Sequence, residues 1–314
     1  MATPSFPNNV PALNSSNQPI WCLQPQFTDK LIGWILKITA LTSILIVALI
    51  FFYIGSEAAP FLSDNHMGLE GLLTGKWNPA SSVDKQYGLL PLVNGSLLVT
   101  IIAGLVAVPV SLAAATYIAE IAGPTENSIL KPIIELLAGI PSVVIGFFGL
   151  MVLAPAVKAV FGLPSGLNAL SAGLLLALMA MPTMISISED ALRSVPNAFR
   201  EASVALGASK IETIFFVVLP AGLPGITAAM LLGLGRVIGE TMAVLMVTGN
   251  APILTLSPLE SVRTMTATVA AEMGEVPFGS EHYHALFCVG VTLLFATFLL
   301  NMSAQAILRR FQTH

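Results

Sequence analysis

The chain has 314 residues, 55% of them hydrophobic and 10% charged, where an ordinary soluble domain carries roughly 25% charged residues. That composition excludes a conventional soluble globule and points to a polytopic membrane protein. A formal net charge of −4 with a sequence pI near 5.5 leaves no basic face for nucleic acid.

The first 25 residues hold Pro4, Pro7, Pro11, Pro19 and Pro25 among Asn and Ser, with no basic residue. They lack the charged start and cleavage site of a signal peptide, so residues 1–30 are expected to be a disordered tail. Apolar runs of bilayer-crossing length, about 20 residues each, follow at Leu31 to Ile54, Pro91 to Ala119, Ile129 to Val157, Leu167 to Ile187, Ala221 to Val247 and Ala285 to Leu308. The expected fold class is therefore all-α, with six transmembrane helices filling residues 31–314 and both termini on one side. Lys30, Lys131, Arg193, Arg200, Lys210, Arg309 and Arg310 fall on the terminus side, against Lys76, Lys85, Lys158 and Arg263 opposite. The excess of basic residues predicts cytoplasmic termini.

In the first run, Lys37 lies near the cytoplasmic end, where its long stem can reach the interface. The outer segment Gly55 to Leu90 reads as polar and Gly-rich, with a short helix at Glu70 to Leu73 and a turn at Trp77-Asn78-Pro79. Trp77 and Tyr87 are expected at the aqueous interface. The second and third runs are punctuated by Gly104, Pro109, Gly139, Pro141, Gly146 and Gly149, residues that let membrane helices pack closely and bend. Lys131 and Glu135 stand at i,i+4 and predict an edge ion pair, with a conformational gate as the other reading. Cys22 in the tail and Cys288 near the outer end of the sixth run would lie on opposite faces, which argues against a disulfide, and neither has metal-ligand company.

After the fourth run the chain turns polar, and residues 189–219 carry seven formal charges. Ser194 and Pro196 offer a helix start, and Ala198, Ala202 and Ala205, flanked by Phe199 and Leu206, recur at helical spacing. Gly207 supplies a turn. A second helix is predicted with Ile211, Ile214, Phe215 and Val218 on its apolar side, interrupted at Pro220. Such a loop either rests on the lipid surface or meets a partner.

The fifth run holds Arg236 and Glu240 one turn apart, the most costly residues to place in a membrane helix, at about 2.5–3.5 kcal/mol for an arginine on the gentlest scale. The i,i+4 spacing predicts that Glu240 neutralises Arg236 at rest, while Gly235 and Gly239 strip bulk from the flanks of the pair. A planar guanidinium can give two parallel hydrogen bonds to an oxyanion. Two readings stand: a transient anion site including Thr241, or a permanent ion pair that fixes packing.

The words around these features carry a resemblance. Glu201-Ala202-Ser203, three residues, Gly207, nine residues, Val217, then Leu219-Pro220 resembles the coupling-loop motif of ABC importer permeases, with Ser203 and Val217 where that family usually has Ala and Ile. The stretch Arg236 to Asn250 is similar to phosphate-transport permeases of the PstC type, and Trp77-Asn78-Pro79 with Tyr87 to Pro91 and Glu135 to Ser142 also resemble phosphate permeases. The Met242 to Met246 run favours that type over its PstA-like paralogue.

The resemblance implies the type I importer permease (MetI-like) fold, with Glu201, Ala202, Ser203, Gly207, Leu219 and Pro220 docking into a cytoplasmic ATPase. It further implies a PstA-like permease partner, two copies of a PstB-like ATPase, a PstS-like phosphate-binding protein outside, and residence in the bacterial inner membrane. No GxxxxGK[ST] pattern occurs in the chain, so ATP and Mg are expected on the ATPase and no cofactor in this chain. Sulfate or molybdate is the alternative cargo, and a proton-coupled carrier using Glu240 is an alternative of another class. No enzyme is expected: His66, His282, His284 and His314 lie in outer loops or at the terminus, without a nucleophile or metal set.

Overall fold

The computed structural model describes residues 25–63, 71–79, 81 and 85–312, and divides into two compact units, Met1–Tyr53 and Ile54–His314. Among the described residues, six helices are long and apolar enough to cross a membrane. Most of the expected tail and Cys22 lie outside the described residues, as do Glu70 and His66.

The first helix, α1 (Pro25–Ser63), begins earlier and ends later than the apolar run. From Leu31 to Tyr53 it is mostly apolar around its whole circumference, Lys37 being its one charged residue, as suits a helix surrounded by hydrocarbon. Lys37 folds back over the Trp34 ring, 5.8 Å from its centroid. In the second unit, α2 (Leu90–Thr116) and α6 (Ala169–Arg193) form the centre. Along α2, Gly95, Val99, Ala103, Ala107, Ser111 and Ala115 recur every four residues, and all are buried. This row of small side chains brings α2 close to α6, the association mode expected where hydrocarbon provides no hydrophobic drive between helices.

The third apolar run is not one helix. Its first half is a separate helix, α3 (Pro124–Ala138). The chain bends at Gly139–Pro141, and the candidate span begins at Ser142. Pro141, at ψ 137, has no N–H to continue the ladder. The span is α4 (Ser142–Phe148), a widened π-helical turn (Gly149–Leu153) and α5 (Ala154–Phe161).

Beyond α6 come α7 (Asn197–Ala205), α8 (Lys210–Thr213), a second widened turn (Ile214–Val218) and α9 (Leu219–Gly239). The expected interruption at Pro220 does not occur, since Lys210–Gly239 runs as one helical stretch. The widened turn explains it: Leu219 donates to the carbonyl of Ile214 five residues back, and the turn eases the clash between the proline ring and the carbonyl of residue 216. The same device precedes Pro155, where Ala154 donates to Gly149.

The fifth run breaks instead at Glu240 and Thr241, where the backbone turns extended (Glu240 φ −71, ψ 134) before the short α10 (Met242–Val247). Gly249 and Asn250, both left-handed, start a loop that returns to α6, with Ala169 and Leu170 donating to the carbonyls of Glu260 and Pro258. Helices α11 (Met265–Glu272) and α12 (Glu281–Gln312) complete the chain.

At the end of the bundle where α12 begins, β1 (Trp77–Asn78) pairs antiparallel with β2 (Gln86–Tyr87). Trp77 and Tyr87, expected at the aqueous interface, are packed against protein, 3% and 2% exposed, in a core with Phe61, Leu92 and Leu286. The reason is a keystone carboxylate. Glu272 accepts from Trp77 Nε1 (3.2 Å), meets His282 Nε2 (2.8 Å) and pairs with Arg263. Burial pushes its carboxyl up, but the His282 hydrogen bond, the Arg263 charge and the Trp77 donor outweigh it and hold the group below the usual range.

Candidate functional site

Two regions carry the predicted site residues, at the coupling loop and at the helix break. In the loop, α7 ends at Ala205 and the chain turns at Gly207, whose φ of +89 is a backbone state that favours glycine; Ser209 then opens α8 with a capping box to Glu212. Glu201, Ala202 and Leu206 are exposed, as are Phe199 and Val204. The apolar set predicted for α7 thus faces away from the protein. Ser203 does the opposite: it is buried and shares a 2.9 Å hydroxyl contact with Thr213, fastening α7 to α8. Its small size serves the inside of the loop. Leu219 and Pro220 begin α9, with Pro220 exposed.

Behind this face lies a charge arrangement that sequence spacing misplaced. Lys131 does not pair with the exposed Glu135 but reaches α6, 3.0 Å from Glu189 and 3.2 Å from Asp190. Glu189 is almost fully buried and also meets Arg193 Nε at 2.5 Å. The bend at Gly139–Pro141 sets α3 against α6, which gives a buried carboxylate a cation from each helix. The hydrogen bond to Glu189 holds the Lys131 ammonium above its ordinary value. Arg200, unremarked in the sequence except as one more basic residue, forms a two-point bond to Glu120 at the end of α2. No local motif announces it, because its partner is 80 positions away.

At the break, Arg236 and Glu240 are not joined by an ion pair. Arg236 is exposed and donates through Nη1 to Thr183 Oγ1 of α6 at 3.2 Å. Glu240 leaves the helix one residue after its last turn. Its carboxylate accepts from the Ala243 N–H at 3.3 Å, and its backbone carbonyl accepts from Thr266 Oγ1 at 2.8 Å. An extended backbone at position 240 turns the carboxylate toward α10, which removes the i,i+4 geometry the pairing needed. Both side chains still line one narrow cavity with Leu176, Met179 and Ala180. Thr241 is half-buried, with its hydroxyl on the Gly239 carbonyl. Gly235 and Gly239 have open space where a Cβ would stand. Irregular backbone inside a membrane protein is tolerated where it is covered by protein or lines an aqueous path.

Among the described residues, the arrangement presents an arginine whose side-chain hydrogen bond goes to a neutral hydroxyl, beside a broken helix, with an exposed loop at the other end of that helix. Pro220 and Arg236 are separated by 16 positions, about 24 Å at helical rise.

The chain matches the family described as binding-protein-dependent transport system inner membrane component over residues 107–313. It is 38% identical over 295 residues to the probable ABC transporter permease protein YqgH of Bacillus subtilis (strain 168), covering 93% of this chain and 95% of that one. It is 36% identical over 263 residues to the phosphate transport system permease protein PstC of Xylella fastidiosa (strain 9a5c), covering 77% and 79%. In fold it is similar to a chain of a bacterial ABC transporter that imports the acidic polysaccharide alginate, with a TM-score of 0.61 at 16% identity over 91% of this chain and 98% of the other. A chain of the MetNI methionine ABC transporter in an inward-facing form gives 0.56 at 20% identity over 69% and 93%. The expected importer-permease fold is therefore the observed one, and the chain belongs to the inner-membrane components of binding-protein-dependent transport systems, among the permeases of the PstC type.

Proposed function

We propose that this chain is one permease subunit of an ATP-driven importer of inorganic phosphate. The observation that carries the reading is Arg236, a permanent cation at a helix break whose resting partner is the Thr183 hydroxyl rather than a carboxylate. An arriving oxyanion then has only a neutral hydrogen bond to displace, and the planar fork offers two donors to it. Weak, temporary binding suits a path that the anion must also leave. Glu240, which lines the same narrow cavity, repels an anion drawn to Arg236 and so limits how firmly one is held.

The loop from Glu201 to Pro220 docks a cytoplasmic ATPase dimer of the PstB kind, through Glu201, Ala202 and the exposed Phe199 and Leu206, with Gly207 as elbow. In this reading the Trp77–Glu272 end faces outside, where a PstS-like binding protein delivers the anion, and both termini are taken to be cytoplasmic on the excess of basic residues. A PstA-like subunit completes the path, and ATP and Mg reside on the ATPase. Reconstitution of the four components in vesicles tests the reading: ATP-dependent uptake of phosphate is expected, with sulfate and molybdate excluded. Preferential uptake of either competitor would replace the cargo, and uptake persisting with a catalytically dead ATPase would replace the mechanism.

A further inference from the structure

Arg200 sits next to Glu201 in sequence, about 100° around α7 from it. Glu201 is exposed, whereas the Arg200 side chain is 21% exposed and that of Glu120 is 9%. The contact is a fork: Nη2 donates to Glu120 Oε1 at 2.6 Å and Nε to Oε2 at 3.2 Å. The remaining donors go to the Leu192 carbonyl (3.0 Å), the Val195 carbonyl (2.6 Å) and Asn197 Oδ1 (3.3 Å). Glu120 belongs to the widened turn Tyr117–Ile121 that ends α2, and Leu192 and Val195 belong to the end of α6 and the link after it. One guanidinium thus ties α7 to the ends of both central helices. Lysine has no planar fork with which to make the same set.

The covalent route from α7 to α9 runs through the Gly207 elbow and the widened turn at Ile214–Val218, both departures from regular helix. The fork bypasses them. In this partly buried setting a bidentate ion pair is stronger and more directional than an exposed one, and loss of one partner strands the other.

We propose that the Arg200–Glu120 fork is a transmission contact: displacement of α7 by the ATPase is passed through it to α2, in parallel with the route through α8 and α9. Arg200 and Glu120 are positioning residues that touch neither anion nor nucleotide. The inference rests on the docking role given to the loop above.

The test uses the full complex in vesicles, with phosphate uptake and ATP hydrolysis measured on the same preparation. Arg200→Gln and Glu120→Gln should each lower phosphate taken up per ATP hydrolysed by roughly tenfold, the size expected for a contact on a coupling route, while the ATPase still co-purifies and hydrolyses. Arg200→Lys, which keeps a charged donor beside Glu120 without the planar fork, should recover only part of that ratio, a graded response that a general loss of folding would not give. An unchanged ratio in the single variants would overturn the proposal. Loss of ATPase co-purification in both would also overturn it, by making the fork part of the docking surface. If Glu201→Lys and Gly207→Pro leave the ATPase bound and uptake normal, the docking reading itself fails, whatever the fork variants do.

Discussion

Replacement of Gly225 by alanine measures how closely α9 lies on α6. A Cβ at Gly225 would stand 2.4 Å from the Ala191 Cβ and 3.5 Å from its Cα, where two carbons in good contact are about 3.5–4.0 Å apart. The obstructing atom is itself a Cβ fixed to a helix backbone, so no rotamer change relieves the overlap and the helices must separate by roughly 1 Å or more. Overpacking of this kind costs about 1–3 kcal/mol. Arg236 lies 11 positions further along α9, about 16 Å away, so the displacement is carried toward the Thr183 contact. The assay is the thermal midpoint of the purified permease pair in lipid nanodiscs, with phosphate uptake measured alongside. Gly225→Ala should lower both, whereas Gly235→Ala, which meets open space, should leave the midpoint unchanged. A Gly225→Ala protein as stable and active as the parent would refute the close α6–α9 contact and the mechanical argument built on it.

Gly207→Ala forces a side chain into a left-handed backbone (φ +89), at roughly 1–2 kcal/mol, and should weaken ATPase co-purification; Gly207→Pro, with φ locked, should abolish it. Retention of the ATPase by both would show that the elbow is dispensable. Arg236→Ala should remove phosphate uptake with the complex still assembled, and Arg236→Lys should restore little of it, because a point charge lacks the fork. An unaffected uptake rate in Arg236→Ala would leave the arginine only a packing role. Because the Glu272 carboxyl is held below its ordinary value of 4.5, its stabilisation of the Trp77–His282–Arg263 cluster is fully present above that value and lost as pH falls through the lower folded-state value. With Trp21→Phe and Trp34→Phe in place, Trp77 fluorescence should report this acid transition, and Glu272→Gln should show the released signal at neutral pH. A flat titration in the parent would sink the keystone reading.

The loop's helix–turn–helix was legible because it depends on local chemistry: Gly207 as the turn, and an exposed apolar set on α7. The cluster around Glu272 was not, since Trp77, Arg263 and His282 are charged or aromatic residues from distant segments with no spacing to connect them. The two misplaced ion pairs share one cause. Lys131 with Glu135 and Arg236 with Glu240 were paired by the i,i+4 rule, which holds only while the helix is regular and no better partner exists. For Lys131 the better partner was a buried Glu189 on another helix. For Arg236 the helix ended at the residue before its acid.

Apolar run length by itself predicted six membrane spans, the number found among the described residues, and the polar stretch 189–219 with its Gly207 turn marked where the loop lies; the permease reading came from the resemblance of its motifs. Spans and loop both depend on properties read along the chain: hydrocarbon thickness sets the length of a span, and a turn needs its glycine in place. Tertiary structure alone decided where each charge finds its counter-charge, because the electrostatic cost of burial is settled by whichever groups packing brings within a few ångströms. That is why Arg236 is left to a hydroxyl while Arg200 is bound to Glu120.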